Sequence, residues 1–199
     1  MKTNTALKNN INLIHIFESE WRDRNEAVKS YIKYVFGMTT KINLDSKKYI
    51  IRSLSYDESK LFFDQNSILG HVKSNNTFGL ELNDEIVCAM TFNRCRFMNI
   101  ENTFEISRLA TKNGFIVENG YKLLLDHFTK THTTANIIGY SDRRYPINKI
   151  FEELSFNHFK TTKPSYYYII KGKLKSRHEY TKNTLKDKLK IFDETKSEV

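Results

Sequence analysis

Apolar positions near the start of the chain recur at helical spacing. They lie seven, four and three residues apart, so they share one face of a helix predicted from Glu20 to Phe36, with Gly37 as its stop. The four positions are Trp21, Val28, Ile32 and Val35. Residues 11–17 alternate and then run apolar, which is typical of a short strand. Because a lone strand and helix do not make a domain, we interpret this opening segment as the end of a unit whose beginning is absent.

From residue 48 onward the pattern predicts an ordered series of strands and helices. Strands are predicted at residues 49–54, 77–82, 85–92, 103–109 and 135–140, and helices at residues 57–65, 120–130 and 147–154. Asn83-Asp84 has the chemistry of a tight hairpin turn, and residues 159–162 and 166–170 are expected to close the series as an antiparallel pair. The order β-α-β-β-β-α-β-α-β-β predicts a single domain that combines helices and strands (α/β in the broad sense). Its sheet is expected to be mixed, as in α+β proteins.

Composition narrows the class of protein. The 199 residues are 39% hydrophobic and 13% aromatic, which is enough to build a core and excludes global disorder. No window approaches the roughly 18 apolar residues that span a bilayer, and the polar start has no signal sequence. We therefore expect a cytoplasmic protein with no membrane partner. Cys88 and Cys95 form no CxxC pair, so we interpret them as buried thiols and expect no metal site.

Charge adds a candidate partner. The chain has 32 Lys and Arg against 23 Asp and Glu, a net charge of +9, which favours a polyanion such as nucleic acid. Eight basic and two acidic residues lie between Lys171 and Lys190, so this segment carries +6. An apolar stripe of Leu185, Leu189 and Phe192 predicts a basic C-terminal helix. Its candidate phosphate contacts are Lys182, Lys186, Lys188 and Lys190. The alternatives are a solvated face and a helix that docks on a protein.

A second candidate site follows the buried strand at residues 135–140. Ligands in open α/β sheets gather at the carboxyl ends of strands. Arg143 and Arg144 offer forked donors for phosphate, and Tyr145 offers a ring that can stack on a base. The alternative is structural: Asp142 caps the turn, and the two arginines pair with acidic residues of the next helix, Glu152 or Glu153.

Three further arginines are weaker candidates for the same surface. Arg94 and Arg96 follow the strand at residues 85–92, so the argument from strand ends applies to them as well. Arg108 lies inside the strand at residues 103–109, and alternation places it opposite to Phe104 and Ile106, from where it is expected to reach the cleft.

Several stretches carry a resemblance to a known family. They are residues 13–21 (LIHIFESEW), 79–82 (GLEL), 90–92 (MTF), 140–144 (YSDRR) and 163–168 (KPSYYY). In these stretches, and over nearly its whole length, the chain resembles the C-terminal half of phage homing endonucleases of the very-short-patch-repair-like type. The order of elements resembles the Gcn5-related N-acetyltransferase fold, with an N-terminal helical extension and a C-terminal basic helix. The resemblance implies that the chain has three parts: a remnant strand and helix at residues 1–45, an acyltransferase-like domain at 46–172 and a basic extension at 173–199.

The resemblance implies a function without cleavage. In that family the nuclease domain comes first, and residues 11–21 match its final strand, so the metal-holding positions have no counterpart here. We therefore expect a nucleic-acid-binding module in the cytoplasm of the host cell, with DNA as the partner and no cofactor. Another class of function is an adaptor that binds a host or phage protein.

The fold resemblance also implies an enzymatic alternative, N-acyl transfer from acetyl-CoA. Enzymes of that fold bind the pyrophosphate through the pattern Arg/Gln-x-x-Gly-x-Gly/Ala at a helix start. The corresponding positions are Phe115, Glu118 and Gly120, of which only the last fits the pattern. In this alternative the cofactor contacts are Asn119, Gly120 and Lys122. The departures at Phe115 and Glu118 favour a scaffold without its usual cofactor.

Overall fold

Alternating apolar positions between residues 49 and 139 form the strands of a mixed sheet, and two amphipathic segments form the helices that cover it. The structure is a computed structural model that describes residues 2–44, 47–95, 100–133, 135–145, 149–163 and 165–196. The chain divides into a first unit, Met1–Asn157, and a second unit, His158–Val199.

The first unit contains most of the regular structure. Its helices are α1 (Lys2–Lys8), α2 (Glu18–Val35), α3 (Tyr56–Asn66), α4 (Gly120–Thr131) and α5 (Ile150–Glu153). Its strands are β1 (Thr40–Ile42), β2 (Tyr49–Ser53), β3 (Asn76–Leu82), β4 (Glu85–Arg94), β5 (Thr103–Thr111), β6 (Phe115–Val117) and β7 (Asn136–Gly139). The predicted α+β class with a mixed sheet is confirmed. Among the described residues, no helix is long and apolar enough to cross a membrane.

The central sheet has the order β2-β3-β4-β5-β7, and a separate parallel pair joins β1 to β6. Strands β2 to β5 are antiparallel neighbours, whereas β7 runs parallel to β5. The β5–β7 pairing ends at Ile106 and Gly139, while β5 continues to Thr111. At that point Ser107 forms a bulge, because Ile106 pairs with Phe92 and Arg108 pairs with Thr91. The sheet therefore opens beside the second half of β5.

Strand β4 is buried on both faces, and the two faces carry side chains of different size. One face holds large side chains that pack under α4, where the rings of Phe92 and Phe128 stack with their centroids 3.9 Å apart. The other face presents Ala89 to Phe62 and Phe63 of α3. Small residues on this face let α3 approach the strand closely.

Local sequence signals explain where several elements begin and end. Asn83 and Asp84 have φ of 51° and 62°, so the predicted hairpin turn is confirmed as the type with two left-handed residues. Helix α3 begins at a capping box in which the Ser55 side chain accepts from the Glu58 N–H and Glu58 accepts from the Ser55 N–H. Helix α2 begins where Glu20 accepts from the Phe17 N–H at 2.8 Å.

The second unit contains a hairpin and two short helical turns. Strands β8 (Tyr167–Ile170) and β9 (Lys173–Ser176) pair antiparallel, and a 3₁₀ turn (Arg177–Tyr180) and α6 (Lys182–Lys186) follow. Lys171 and Gly172 connect the strands with φ of 50° and 71°. A two-residue turn of this type matches the twist of a hairpin, which makes β9 the local partner of β8.

Four local predictions differ from the structure. Residues 11–17 form no strand; their chain is irregular and leads directly into α2. Residues 159–162 also form no strand, because the tight turn after β8 provides a nearer partner. The basic helix is limited to the five residues of α6, and the chain continues from Asp187 as turns and bends. The described part of the predicted helix at 147–154 is α5, and residues 147 and 148 lie outside the described residues.

Candidate functional site

A cavity of about 780 Å³ lies in the first unit, beside the second half of β5. It lies where β5 and β7 part at the bulge, so that Leu109, Ala110 and Thr111 line the cavity on the side of β5 that β7 no longer pairs with. Helix α2, strand β6, the start of α4 and the loop after α3 supply the remaining walls. The cavity therefore lies at the carboxyl end of a strand, where ligands of open α/β sheets gather.

The start of α4 forms one wall of this cavity. Asn119, in the left-handed conformation with φ of 59°, precedes the helix, and its side chain does not cap the first N–H groups of the helix. A Cβ on Gly120 would lie 2.9 Å from Val117 Cγ1, so a larger residue at this position would displace Val117. The residues predicted for cofactor binding, Asn119, Gly120 and Lys122, all line the cavity.

Ion pairs modify the charge at this wall. The Glu118 carboxylate lies 3.7 Å from the Lys41 ammonium, which also lines the cavity, so the negative charge is partly offset. The Lys122 ammonium is held at 2.7 Å by Asp126, one turn further along α4. Glu118 is therefore less repulsive to an anion than its sequence position indicates, and Lys122 is less available to one.

Tyrosines supply much of the opposite wall. Tyr31 of α2 packs edge-on against Tyr145, with their centroids 5.0 Å apart, and Tyr34 lies one helical turn away. Burial raises the pKa of Tyr34, of Tyr121 and of Tyr145. For Tyr145 the nearby Arg144 charge opposes this rise, and Glu20 adds to it. The hydroxyls are therefore neutral at physiological pH and present hydrogen-bond donors.

Arg144 is occupied by partners within the chain. Its guanidinium donates to Glu20 Oε1 and to Asp142, both at 2.8 Å, and lies 4.3 Å from the centre of the Phe17 ring. Burial alone lowers the pKa of this group, but the hydrogen bonds to Asp142 and Glu20 raise it above its ordinary value. The predicted ion pairs of Arg144 with Glu152 or Glu153 are not formed; its partners are Glu20 and Asp142 instead. Arg144 therefore fastens the start of α2 to the loop after β7 and supports Tyr145.

The other predicted arginines have different surroundings. The exposed Arg143 donates to Asn4 at 3.0 Å. Arg108 is half-buried and donates to the carbonyl oxygens of Gly70 at 2.7 Å and Leu69 at 3.4 Å, so it holds the loop after α3 instead of facing a ligand. Arg94 is exposed, with its guanidinium 5.0 Å from the centre of the Phe104 ring. Arg96 lies outside the described residues.

The lysines of the second unit fall into two groups. Lys182 donates to the Glu194 carbonyl at 3.2 Å, Lys186 pairs with the Glu194 carboxylate at 3.3 Å, and Lys188 lies 4.3 Å from the centre of the Tyr180 ring. Within the described residues, the exposed side chains of Lys160, Lys163, Lys171, Lys173 and Lys190 make no hydrogen bond or ion pair. These ammonium groups are accessible to a polyanion.

Sequence reasoning missed Glu105. In β5 this carboxylate accepts from Ser107 Oγ at 3.1 Å, and Asn93 donates to the same hydroxyl. Its second oxygen is buried and meets no hydrogen-bond partner among the described residues. The signal in the sequence is a carboxylate between Phe104 and Ile106 in a predicted strand. A buried carboxylate oxygen of this kind can accept a hydrogen bond.

The described residues contain no group of three or more His, Cys, Asp or Glu side chains placed to hold a metal ion. Comparison of the sequence with protein-family models and with curated proteins returns no match.

Proposed function

We propose that the protein is a nucleic-acid-binding module whose contact surface lies in the second unit. The observation that carries this proposal is the distribution of charge. Residues 158–199 hold eleven Lys and Arg against five Asp and Glu, a net charge of +6 on 42 residues. Residues 1–157 hold 21 against 18 and carry only +3. A domain that concentrates its excess charge on one small unit has the electrostatic footprint of a polyanion-binding protein.

The sheet supports the finer part of the proposal, an acyltransferase-like scaffold related to phage homing endonucleases. Four antiparallel strands followed by one parallel strand, with α4 before the parallel strand, support this part of the proposal because they follow the order of elements on which the resemblance rests. On this proposal the scaffold carries a binding unit, and DNA is the partner. The ion pairs of Arg144 and the backbone contacts of Arg108 give these residues supporting roles.

A titration of the full chain with a fluorescent 20-base-pair DNA duplex tests the proposal. Each phosphate that the protein neutralises contributes about −0.9 to the slope of log affinity against log salt. Contact by Lys171, Lys173 and Lys190 alone gives a slope of about −3, and additional contacts make it steeper. Measurable affinity at 50 mM salt with such a slope is the expected result. No retention of duplex or single-stranded nucleic acid at 50 mM salt would contradict the proposal and favour an adaptor that binds a protein.

A second candidate function, N-acyl transfer from acetyl-CoA, is favoured by the cavity beside β5. The cavity combines the start of α4, the Lys41–Glu118 pair and neutral tyrosine hydroxyls, and Glu105 lies on the neighbouring strand segment. Calorimetry with acetyl-CoA separates the two candidates. A heat of binding at about 100 μM that disappears in Gly120→Val would support acyl transfer, because a side chain at Gly120 disturbs this wall. If the protein binds nucleic acid and not acetyl-CoA, calorimetry detects no heat of binding for acetyl-CoA with the wild-type chain or with Gly120→Val.

A further inference from the structure

The β8–β9 hairpin is a two-stranded ribbon whose outer half is exposed. The five consecutive residues 169–173 at its tip are all exposed, and Ile169 is 76% accessible. Tyr167, on the same face as Ile169, is 56% accessible. Two isoleucines at the end of a hairpin are unusual for a purely solvated turn, because such positions normally carry polar residues. This end of the ribbon therefore has the composition of a contact surface.

The charge around the ribbon is of one sign. Residues 154–178 contain six Lys and Arg and no Asp or Glu. Two of the six, Lys171 and Lys173, lie at the tip, where their ammonium groups have no partner among the described residues. Lys175, nearer the base, pairs with Glu179 at 3.4 Å, and Tyr168 packs on the Tyr180 ring with centroids 5.2 Å apart. The base of the ribbon is therefore braced and its tip is accessible.

The dimensions of the ribbon fit one kind of nucleic-acid surface. Adjacent strands lie about 4.8 Å apart, and four residues of strand extend about 13 Å. The major groove of B-form DNA is about 12 Å wide and 8.5 Å deep and admits a two-stranded ribbon, whereas the major groove of an RNA duplex is too narrow for side chains to read. Apolar side chains at the tip can contact thymine methyl groups on the groove floor, while lysines reach the phosphates on its rims.

We propose that the β8–β9 hairpin inserts its tip into the major groove of duplex DNA, with Lys171 and Lys173 on the phosphates and Ile169 and Ile170 against the base edges. This inference rests on the proposed function and specifies the ligand of the same unit: a B-form DNA duplex. The one-signed charge of residues 154–178 and the width of the ribbon argue for this occupant.

The experiment compares the full chain with a hairpin variant on two probes of the same sequence, a DNA duplex and an RNA duplex. Lys171→Asn with Lys173→Thr removes both charges while keeping a residue suited to the left-handed turn and a residue suited to a strand. The matched control, Lys160→Gln with Lys163→Gln, removes the same charge outside the hairpin. Circular dichroism checks that each variant is folded.

The wild-type chain and the matched control are expected to prefer the DNA duplex. Binding is expected to be displaced by methyl green, which occupies the major groove, and not by netropsin, which occupies the minor groove. The hairpin variant is expected to lose about tenfold or more in DNA affinity at 0.15 M salt, since two phosphate contacts are removed. Ile169→Ser is expected to weaken DNA binding without changing the salt dependence.

Failure of the hairpin inference and failure of the proposed function give different results in this experiment. If DNA is retained but the hairpin variant matches the wild-type chain, or if netropsin is the displacing ligand, the hairpin inference is wrong and the proposed function stands. Equal affinity for the RNA duplex also contradicts insertion into the major groove. If neither probe nor a single strand is retained, the proposed function itself fails. Capture of an acidic protein by the same tip would identify the occupant as a polypeptide and overturn the inference.

Discussion

The two units of the chain are stabilised in different ways. The first unit has a core in which Phe63, Phe92, Leu124 and Phe128 are fully inaccessible. In the second unit, no residue within 158–163 and 165–196 is buried. The unit without a core also carries +6 of the net charge of +9. Hydrophobic burial and basic charge are therefore separated along this chain, so that stability and surface charge can be changed independently.

Local contacts replace a core in the second unit. The Ser176 side chain accepts from the His178 N–H at 3.3 Å, and Glu179 accepts from the Ser176 N–H at 3.3 Å, which caps the 3₁₀ turn. Ring contacts join Tyr168 to Tyr180 and Lys188 to the same ring. Each contact of this kind contributes about 1 kcal/mol or less. We therefore expect the unit to open more readily than the first.

The largest expected effect comes from emptying the core of the first unit. Phe128→Ala removes a ring that stacks on Phe92 and contacts Phe104 edge-on. The expected loss is about 3 to 5 kcal/mol in the free energy of unfolding, measured by urea denaturation. The matched change in the second unit, Ile169→Ala, is expected to cost no more than about 0.5 kcal/mol. Similar losses for the two variants would remove the contrast between the units.

A smaller effect is expected from the ion pair that fastens α2. The side chains of Glu20 and Arg144 are only 12% and 20% accessible, so Glu20→Ala leaves a largely buried guanidinium with one partner fewer. We expect a loss of about 2 to 4 kcal/mol in urea denaturation. The control is Glu26→Ala, which breaks an exposed pair with Lys29 at 2.7 Å and is expected to cost about 0.5 kcal/mol or less. Equal costs would show that Arg144 is not a fastening residue.

The smallest stability effect concerns pH. A hydrogen bond from Lys60, with further ones from the His71 N–H and Arg24, lowers the pKa of Asp64 from 3.8 to about 2, against the effect of burial. Because the folded state holds this proton less tightly, the stabilisation is present above about pH 4 and is lost as the pH falls towards 2. After allowance for solvent screening, the contribution is about 1 kcal/mol.

The measurement is the thermal midpoint of the wild-type chain and Asp64→Asn between pH 6 and pH 2. The difference between the two is expected to shrink as the pH falls. Asp126→Asn, which breaks the exposed pair with Lys122, is the control and is expected to show little difference at any pH. A difference in thermal midpoint between the wild-type chain and Asp64→Asn that stays constant down to pH 2 would contradict the lowered pKa of Asp64.

How well the sequence predicted the structure depends on the range of the contacts. Between residues 49 and 139 every strand and helix except β6 was predicted within two residues, because period-two and helical patterns, turn residues and caps act locally. The partner of Arg144 was not predictable, since Glu20 lies 124 positions away and only the assembled unit brings them together. The cavity was likewise invisible, because it depends on where β5 leaves β7. The hairpin partner of β8 was misassigned although Lys171-Gly172 signals it.

The central claim, that the second unit holds the nucleic acid, is tested most directly by comparing two triple variants of the full chain. One replaces Lys171, Lys173 and Lys190 by Gln, and the other replaces three exposed lysines of the first unit: Lys8, Lys33 and Lys130. Both remove three charges. The proposal predicts that the slope of log affinity against log salt on a DNA duplex flattens by about 2 to 3 in the first variant and is nearly unchanged in the second. Equal flattening in both, or none in either, would contradict it.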